Sequence, residues 1–225
     1  MSEESTPPTP LGRRARLREQ TRREAKDIAL EQLASTGPAG ISVNAIAKAM
    51  GMTGPALYRY FASRDELLTA LIADAYTDLA QALASAGGAE GDRDGDDLEG
   101  SAGMAPTGSA GAGGAGSARG ARLRRFAYAW RGWAKEHPDR YLLIYGTPVP
   151  GYSAPEETRV IADGMLRSAV AACAELGPAD TAEDRALRAW TRVHGLVGLE
   201  VAGHFEGMAF DVDRLFAEEV ESLIR

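Results

Sequence analysis

Side chains able to bind nucleic acid are concentrated between residues 42 and 64. Ser42 and Thr53 supply hydroxyl groups, Asn44 supplies an amide, and Arg64 supplies a guanidinium group. Groups of these kinds bind phosphate oxygens or the edges of bases in a groove. The composition of this stretch therefore predicts a nucleic-acid-binding surface, if the backbone presents these groups on one side.

Aromatic side chains form a second candidate site, in the second half of the chain. Trp130 and Trp133 lie on one face of a predicted helix, and Trp190 is followed one helical turn later by His194. Cavities between helices that are lined by aromatic rings and one or two polar groups bind small molecules. The predicted ligand-pocket residues are Phe126, Trp130, Trp133, Tyr141, Tyr145, Met165, Trp190 and His194.

These residues also predict the chemistry of the ligand. Aromatic walls favour a largely apolar or planar molecule, to which His194 would supply a hydrogen bond. The alternative is that each aromatic side chain is part of the hydrophobic core and that His194 is a hydrogen-bonded core histidine.

The sequence lacks the patterns expected of an enzyme or a metal site. No nucleophile is paired with a base, and the glycines at 108–116 follow no predicted strand and lack the spacing of a phosphate-binding loop. His194, Glu200 and His204 do not fall on one face of a helix, so their spacing does not suit a metal ion. We therefore predict no enzyme activity and no cofactor or metal, but an unidentified small-molecule ligand.

Charge is distributed unevenly along the chain. The net charge is −7, yet residues 11–64 hold ten Lys or Arg and four acidic residues, a local charge of +6. A basic end on an acidic body is expected when only one end of a protein meets DNA.

Hydropathy and cysteine content predict where the protein is found. No apolar run approaches the ~20 residues needed to span a bilayer. The first residues carry no apolar stretch typical of a secretory signal. Cys173 is the only cysteine, which fits a reducing compartment. We expect a cytoplasmic protein without a membrane partner.

Three helices must position the polar groups of the first region. A helix is predicted over residues 16–35 from its apolar face. Ser42 is a natural N-cap for the second helix, which Gly51 stops after about two turns, and Thr53 can cap the third. Two short helices with a glycine at the turn predict a helix-turn-helix over about residues 43–62.

Apolar and capping residues predict how this motif continues. Leu57 and Phe61 are expected to point inward from the third helix. Ser63 and Glu66 have the spacing of a capping box and open a long helix that reaches about residue 85.

The stretch from Ile41 to Leu68 resembles the DNA-binding head of the tetracycline-repressor (TetR) family. The features that match are the IA-x-x-x-G core, the LYRYF end of the third helix, and the S-R-D-E-L-L that opens the fourth. Two positions depart from the family pattern. Pro55 stands where a small residue other than proline is usual, and Arg64 replaces a common lysine while keeping its charge.

The resemblance implies how each residue would meet DNA. Thr53, Gly54 and Pro55 would enter the major groove first, and Asn44 matches a position that often contacts DNA. Tyr58 and Tyr60 resemble aromatic residues that contact the DNA backbone, and the alternative is that they belong to the core. Arg64 would bind a phosphate. The predicted DNA-binding residues are Ser42, Asn44, Thr53, Gly54, Pro55, Tyr58, Tyr60 and Arg64.

Composition divides the chain into four parts. Residues 1–15 are predicted to be a disordered basic tail, and residues 16–85 the DNA-binding domain with the start of a long connecting helix. Residues 86–120 are rich in Gly, Ala and Ser and predict a flexible insertion, which is a departure from the short turn usual in the family. Residues 121–225 form the second domain.

The second domain is predicted to be helical, and no stretch of the chain alternates like a strand, so the predicted fold class is all-α. Helices are expected up to His137-Pro138, over 139–145, over 156–176, from a Thr181 cap to about Phe205, and from about residue 212. Trp190, His194 and Gly195 resemble a C-terminal domain type of the TetR family named for a Trp/His/Gly (WHG) signature. That resemblance implies a ligand cavity between helices and a homodimer formed through the last two long helices.

Together, the residues and the resemblance predict a ligand-responsive transcription regulator. Its partners would be a near-palindromic double-stranded DNA operator, a second copy of the chain and a small-molecule effector that releases the DNA. Repression is favoured over activation because blocking a promoter needs no further contact surface. The alternatives are a transcriptional activator and a DNA-binding or architectural protein without a ligand. The large second domain argues against the last of these, since a head alone would suffice for it.

Overall fold

A computed structural model describes residues 12–87, 119–149 and 151–225. In these ranges the protein has nine α-helices, two single-turn 3₁₀ helices and no strand, which confirms the all-α fold. Most of the predicted tail and residues 88–118 of the predicted insertion lie outside the described residues. The helices are α1 (Arg13–Thr36), α2 (Val43–Ala49), α3 (Gly54–Leu57), α4 (Arg64–Gly87), α5 (Ala121–Glu136), α6 (Pro138–Tyr145), α7 (Glu156–Ala174), α8 (Ala182–Val201) and α9 (Val212–Ile224).

The chain folds as two compact units. The first unit is Met1–Ile72 together with the segment Pro148–Ser153, and the second is Ala73–Thr147 with Ala154–Arg225. The division falls inside α4, whereas the predicted head reached residue 85. An uninterrupted apolar face along one helix gives no sign of such a boundary.

The first unit is built on the apolar faces of α1 to α4. Ala29, Ile46, Leu57, Phe61 and Leu68 are all fully buried. Helices as short as α2 and α3 are not stable alone in water, so this burial is what keeps them folded. The inward orientation predicted for Leu57 and Phe61 is confirmed.

Side-chain caps fix where α2 and α4 begin. The Ser42 hydroxyl accepts a hydrogen bond from the Ala45 N–H at 3.3 Å, as predicted. The Ser63 hydroxyl accepts from the Glu66 N–H at 3.0 Å, and the Glu66 carboxylate reaches back to the Ala62 N–H at 2.6 Å. Each bond satisfies a donor that has no partner within its own helix.

Thr53 behaves differently from these two serines. It occupies the position before α3, but its side chain makes no capping hydrogen bond there. The predicted cap at Thr53 is therefore wrong, although Pro55 falls in the first turn of α3 as predicted. Proline is tolerated there because its missing N–H would have no partner within the helix.

The second unit surrounds the buried face of α5. Leu123, Ala127, Trp130 and Ala134 follow one another at helical spacing and are at most 2% exposed. The helix ends at His137 before Pro138, as predicted, because proline disfavours helical backbone in the residue before it.

Ionic contacts hold the opposite side of α5. The Arg131 guanidinium is 2.7 Å from Glu200 of α8 and 2.6 Å from Asp213 of α9, and it lies 4.7 Å from the centre of the Phe216 ring. Arg131 is only 6% exposed. Removing either acid would leave a buried charge poorly compensated, which is strongly destabilising.

Two helices begin or end elsewhere than predicted. The first helix starts at Arg13, so residues 13–15 belong to α1 and not to a disordered tail. The helix predicted to reach Phe205 ends at Val201, because Gly203 takes a φ of +76° that leaves the helix. The predicted Thr181 cap is also wrong, since the Thr181 hydroxyl donates to the Pro178 carbonyl.

Gly120 is the residue whose replacement tests this packing most directly. Its φ is +72°, and a Cβ placed on it would lie 2.6 Å from a side-chain carbon of Ile224 at the end of α9. We expect Gly120→Ala to lower the free energy of unfolding by about 2 kcal/mol, since both the left-handed backbone and the contact are unfavourable.

Gly132 provides the matched control, because it is exposed on α5 and a Cβ there would meet no atom within 4 Å. Gly132→Ala should raise the stability by up to about 1 kcal/mol through helix propensity. Urea unfolding of both variants measures this. Equal stabilities for the two variants would contradict the role given to Gly120.

Candidate nucleic-acid interface and ligand-binding core

A turn at Gly51 brings α2 and α3 together as a helix-turn-helix. Gly51 has a φ of +67°, which favours glycine, and the next N–H, that of Met52, donates to the Ala47 carbonyl at 2.8 Å. This closes the end of α2 and sends the chain into α3 after two residues. The motif lies within the predicted range of 43–62.

The start of α3 gathers several of the predicted DNA-binding residues. A Cβ on Gly54 would lie 2.4 Å from the Asn44 side-chain oxygen, so Asn44 of α2 rests directly on the first turn of α3. Thr53 and Pro55 on either side of Gly54 are exposed. These four residues form one exposed edge, which we call the α3 edge. It carries an amide, a hydroxyl and the N-terminal turn of a helix, the groups that contact bases and phosphates.

The two tyrosines differ in their surroundings. Tyr58 is 44% exposed, so the structure does not place its ring in the core. Tyr60 is half-buried, and the Arg18 guanidinium lies 5.4 Å from the centre of its ring. Tyr58 is therefore the better placed of the two for a contact outside the protein.

Arg64 has a structural role that sequence reasoning missed. Its Nε donates to the Ile41 carbonyl at 3.1 Å and its Nη2 donates to the Pro38 carbonyl at 2.6 Å. The side chain is 32% exposed. Arg64 thus holds the loop that leads into α2, whereas the predicted phosphate contact stays a prediction.

Two arginines of α1 hold the C-terminal end of the recognition region. Arg18 donates to the Arg59 carbonyl at 3.0 Å, and Arg22 donates to the Tyr60 carbonyl. Arg22 also lies 4.1 Å from the centre of the Phe61 ring. Carbonyls at the end of a helix have no partner within it, and cations stabilise them. The four-residue spacing of Arg18 and Arg22 was the available signal.

Lys48 and Arg59 are exposed cations of the same region that the prediction did not include. Lys48 lies in the last turn of α2, and Arg59 lies in the turn after α3. Their exposure makes both candidates for phosphate contacts.

In the second unit, six of the predicted pocket residues form one cluster of rings around Trp130. The Trp130 ring centre lies 4.3 Å from that of Trp190, 5.6 Å from that of Tyr145 and 5.9 Å from that of Phe126. The six clustered residues are Phe126, Trp130, Tyr141, Tyr145, Trp190 and His194.

The other two predicted pocket residues lie elsewhere in the core. The Trp133 indole N–H donates to Asp78 at 3.1 Å, and its ring lies beside His137. Met165 is 2% exposed and belongs to the hydrophobic core. A shared helix face placed Trp133 with Trp130 in the prediction, but three residues along a helix turn the side chain toward a different neighbour.

Polar groups within the cluster are neutral. The Tyr141 hydroxyl lies 2.9 Å from the His194 Nδ1. Burial lowers the pKa of His194, which favours the uncharged imidazole at neutral pH. Burial also raises the pKa of Tyr141 and of Tyr145, so both stay protonated. His194 is thus hydrogen-bonded to a neighbour, in agreement with the alternative interpretation of this residue.

A small cavity adjoins the cluster. About 10 Å³ is available to the centre of a water molecule, which is room for about one water. None of its lining residues is charged. The cavity is lined by Leu123, Phe126, Ala127, Trp130, Ala169, Ala189, Trp190 and Val193.

Comparisons with known proteins agree with this arrangement. Residues 27–71 match the family described as bacterial regulatory proteins, tetR family, and residues 123–223 match the family described as tetracyclin repressor-like, C-terminal domain. Together the two matches cover the helix-turn-helix and the helices α5 to α9. They define the class of the protein as a helix-turn-helix transcriptional regulator.

Individual relatives carry the same assignment. The crystal structure of SCO4313 is 40% identical, with a TM-score of 0.77, over 95% of this chain and 98% of that one. A tetR-family regulatory protein from Rhodococcus RHA1 has a TM-score of 0.61 at 17% identity, over 92% of this chain and 96% of that one, which shows the fold alone. The HTH-type transcriptional regulator Rv1816 of Mycobacterium tuberculosis is 38% identical over 168 residues, 72% of this chain and 61% of that protein.

The chain belongs to the tetR family of bacterial regulatory proteins. It spans about 61% of the length of the curated relatives that it matches. The family is one of transcriptional regulators rather than enzymes. Among the described residues, no helix is long and apolar enough to cross a membrane.

The lowered pKa of His194 predicts how stability depends on pH. The unfolded chain takes up a proton at the ordinary value near 6.5, whereas the folded protein does so only at lower pH. Protonation therefore favours the unfolded state, and stability falls as the pH drops below about 6.5. We expect the wild type to lose more stability than His194→Gln between pH 7.5 and pH 5.5.

Urea unfolding at the two pH values measures this difference. His204→Gln is the matched control, because His204 is exposed. It should lose as much stability as the wild type. Equal losses in the wild type and His194→Gln would show that the His194 imidazole does not resist protonation.

Proposed function

We propose that the protein is a repressor that binds a near-palindromic DNA operator as a homodimer and releases it when a small molecule enters the second unit. The observation that carries this proposal is the α3 edge, where Asn44, Thr53 and Pro55 surround the exposed start of a recognition helix. In helix-turn-helix proteins the N-terminal residues of the second helix read base edges in the major groove. A transcriptional activator remains the alternative.

An open groove between α7 and α8 supports the dimer. Its volume is about 390 Å³, and it combines apolar side chains with charges of both signs. In a two-fold interface each residue meets its counterpart's neighbour reciprocally. Asp163 of one copy can therefore pair with Arg167 of the other, while Leu166, Val170 and Leu187 bury apolar surface.

A row of residues on α8 continues this surface. Leu187 and Leu199 are 57% and 46% exposed, and the exposed Thr191 and Gly195 lie between them at intervals of four residues. Residues spaced in this way lie on one face of a helix. Small residues between two leucines allow another helix to approach closely, which suits the dimerisation helices implied by the family.

Effector binding is supported by the ring cluster around Trp130 and by the fold. The TetR variant of Acinetobacter baumannii AYE, which was solved in complex with minocycline, has a TM-score of 0.52 with this chain at 19% identity. The likeness is one of fold only. It supports a proposal that helices α5 to α8 enclose a ligand in this protein as well.

The segment Pro148–Ser153 supplies a route from the ligand to the DNA. It belongs to the first unit, whereas the helices on either side of it, α6 and α7, belong to the second. Within the first unit, the Tyr152 hydroxyl lies 3.0 Å from the Thr69 hydroxyl on α4. Tyr141 and Tyr145 of the ring cluster are on α6, so a ligand that displaces α6 pulls on a segment bonded to the head.

Selection of bound duplexes from random sequence tests DNA binding. We expect a near-palindrome whose half-sites lie about one helical turn apart, or a multiple of it, and two chains per duplex by mass. A failure to enrich any sequence would contradict the proposed function.

Two variants measured on that operator separate contacts from support. We expect Lys48→Ala to keep its melting temperature and to reduce the slope of log affinity against log salt by about one, as loss of a phosphate contact does. Arg64→Ala should lower stability by about 1–2 kcal/mol and weaken binding at an unchanged slope, because its guanidinium holds carbonyls. A reduced slope in Arg64→Ala would instead restore the phosphate contact.

Loss of the Tyr152 hydroxyl tests the proposed route. With an effector found by screening for DNA release, Tyr152→Phe should leave affinity for the operator near the wild type and reduce the effect of the effector about 2- to 5-fold. Thr69→Val should act in the same way, and the double variant should add nothing further. Wild-type release in all three variants would exclude this hydrogen bond from the coupling.

A further inference from the structure

Two buried hydrogen-bonding groups of the ring cluster have no acceptor. The Trp130 Nε1 and the Tyr145 hydroxyl are buried and form no hydrogen bond with the described part of the chain. Trp130 is 1% exposed, and its ring stacks on that of Tyr145. An indole N–H can only donate. Buried groups of this kind are almost always satisfied, so each one calls for a partner.

The surroundings restrict what that partner is. No charged side chain lines the cavity beside Trp130. The nearest basic group, His194, is already hydrogen-bonded to Tyr141 and is held neutral by burial. A ligand with a formal charge would find no counter-charge here and would pay the full cost of leaving water.

We infer, on the basis of the proposed function, that the effector is an uncharged, planar, mainly apolar molecule with a carbonyl-type oxygen that accepts hydrogen bonds from the Trp130 indole and the Tyr145 hydroxyl. His194 does not hold this oxygen. Aromatic faces on Trp190 and Phe126 cover the flat surface of the ligand.

The present cavity is too small for such a molecule, so the site must open. Phe126 and Trp190 line it, and both are only partly buried. Trp130 is held by α6 and α8 rings and is fully buried. Phe126 and Trp190 are thus the side chains that move to admit a ligand, while Trp130 keeps its donor in place.

Four probes of nearly one shape test the chemistry of the site. Acetophenone carries the carbonyl, α-methylstyrene replaces that oxygen with CH₂, benzoate adds a negative charge, and benzamidinium adds a positive charge. We expect acetophenone to bind the full-length protein about 3- to 10-fold more tightly than α-methylstyrene, which is the range expected of one hydrogen bond. Both ions should bind at least 100-fold more weakly than acetophenone.

The indole N–H gives a direct readout. The protein has three tryptophans, so its ¹⁵N spectrum has three indole signals, and Trp130→Phe identifies the one that belongs to Trp130. Acetophenone should move this proton downfield, and α-methylstyrene should not. The Trp133 signal should stay in place with both probes, because its N–H already donates to Asp78.

Variants of the two donors complete the test. Trp130→Phe and Tyr145→Phe should each reduce the preference for acetophenone over α-methylstyrene to near one. The controls Trp133→Phe and Tyr128→Phe should keep that preference, since Trp133 has an internal partner and Tyr128 is 47% exposed. Using the ratio of two affinities cancels any change in the size of the cavity.

The possible results are distinct. Binding of none of the probes, tighter binding of benzoate or benzamidinium, or a preference that survives in Trp130→Phe would each overturn the inference. Fluorescence anisotropy of a labelled operator is measured separately. Acetophenone that binds through Trp130 but leaves the operator bound would support the site and count against the proposed release of DNA.

Discussion

Contact between the Trp130 indole and rings from α6 and α8 is the interaction on which the second unit depends. It joins three helices on one side of α5, while the next residue, Arg131, joins α5 to α8 and α9 on the other side through Glu200 and Asp213. One side of α5 is thus held by apolar area and the other by charge. The unsatisfied Trp130 N–H lies at the centre of this packing, which is why a ligand there would affect several helices at once.

Local patterns predicted much of the fold, because the interactions behind them are local. Ser42 and Ser63 cap helices through bonds three residues away, and Leu57 and Phe61 follow helical periodicity. The role of Arg64 could not be found in this way, since its carbonyl partners are 23 and 26 residues away. The same holds for the ligand donors. The sequence drew attention to His194, but only the packed structure pairs it with Tyr141 and leaves Trp130 without an acceptor.

Basic residues in the first unit serve two different purposes. Arg18, Arg22 and Arg64 donate to backbone carbonyls and so keep the helix-turn-helix in shape. Lys48 and Arg59 are exposed and remain available to phosphates. The local charge of +6 therefore overstates the number of cations that DNA can meet, and a count of basic residues alone would misjudge the interface.

The first unit is not one continuous piece of chain, because Pro148–Ser153 completes it from a point far along the sequence. A gene fragment that stops after Ile72 would encode a head without Tyr152 and with α4 cut in its middle. Grafting this head onto another regulator would meet the same difficulty, since the donor and the recipient would both have to supply a matching loop. Exchange of heads between family members is in this respect restricted by a six-residue segment that a linear domain map assigns to the other domain.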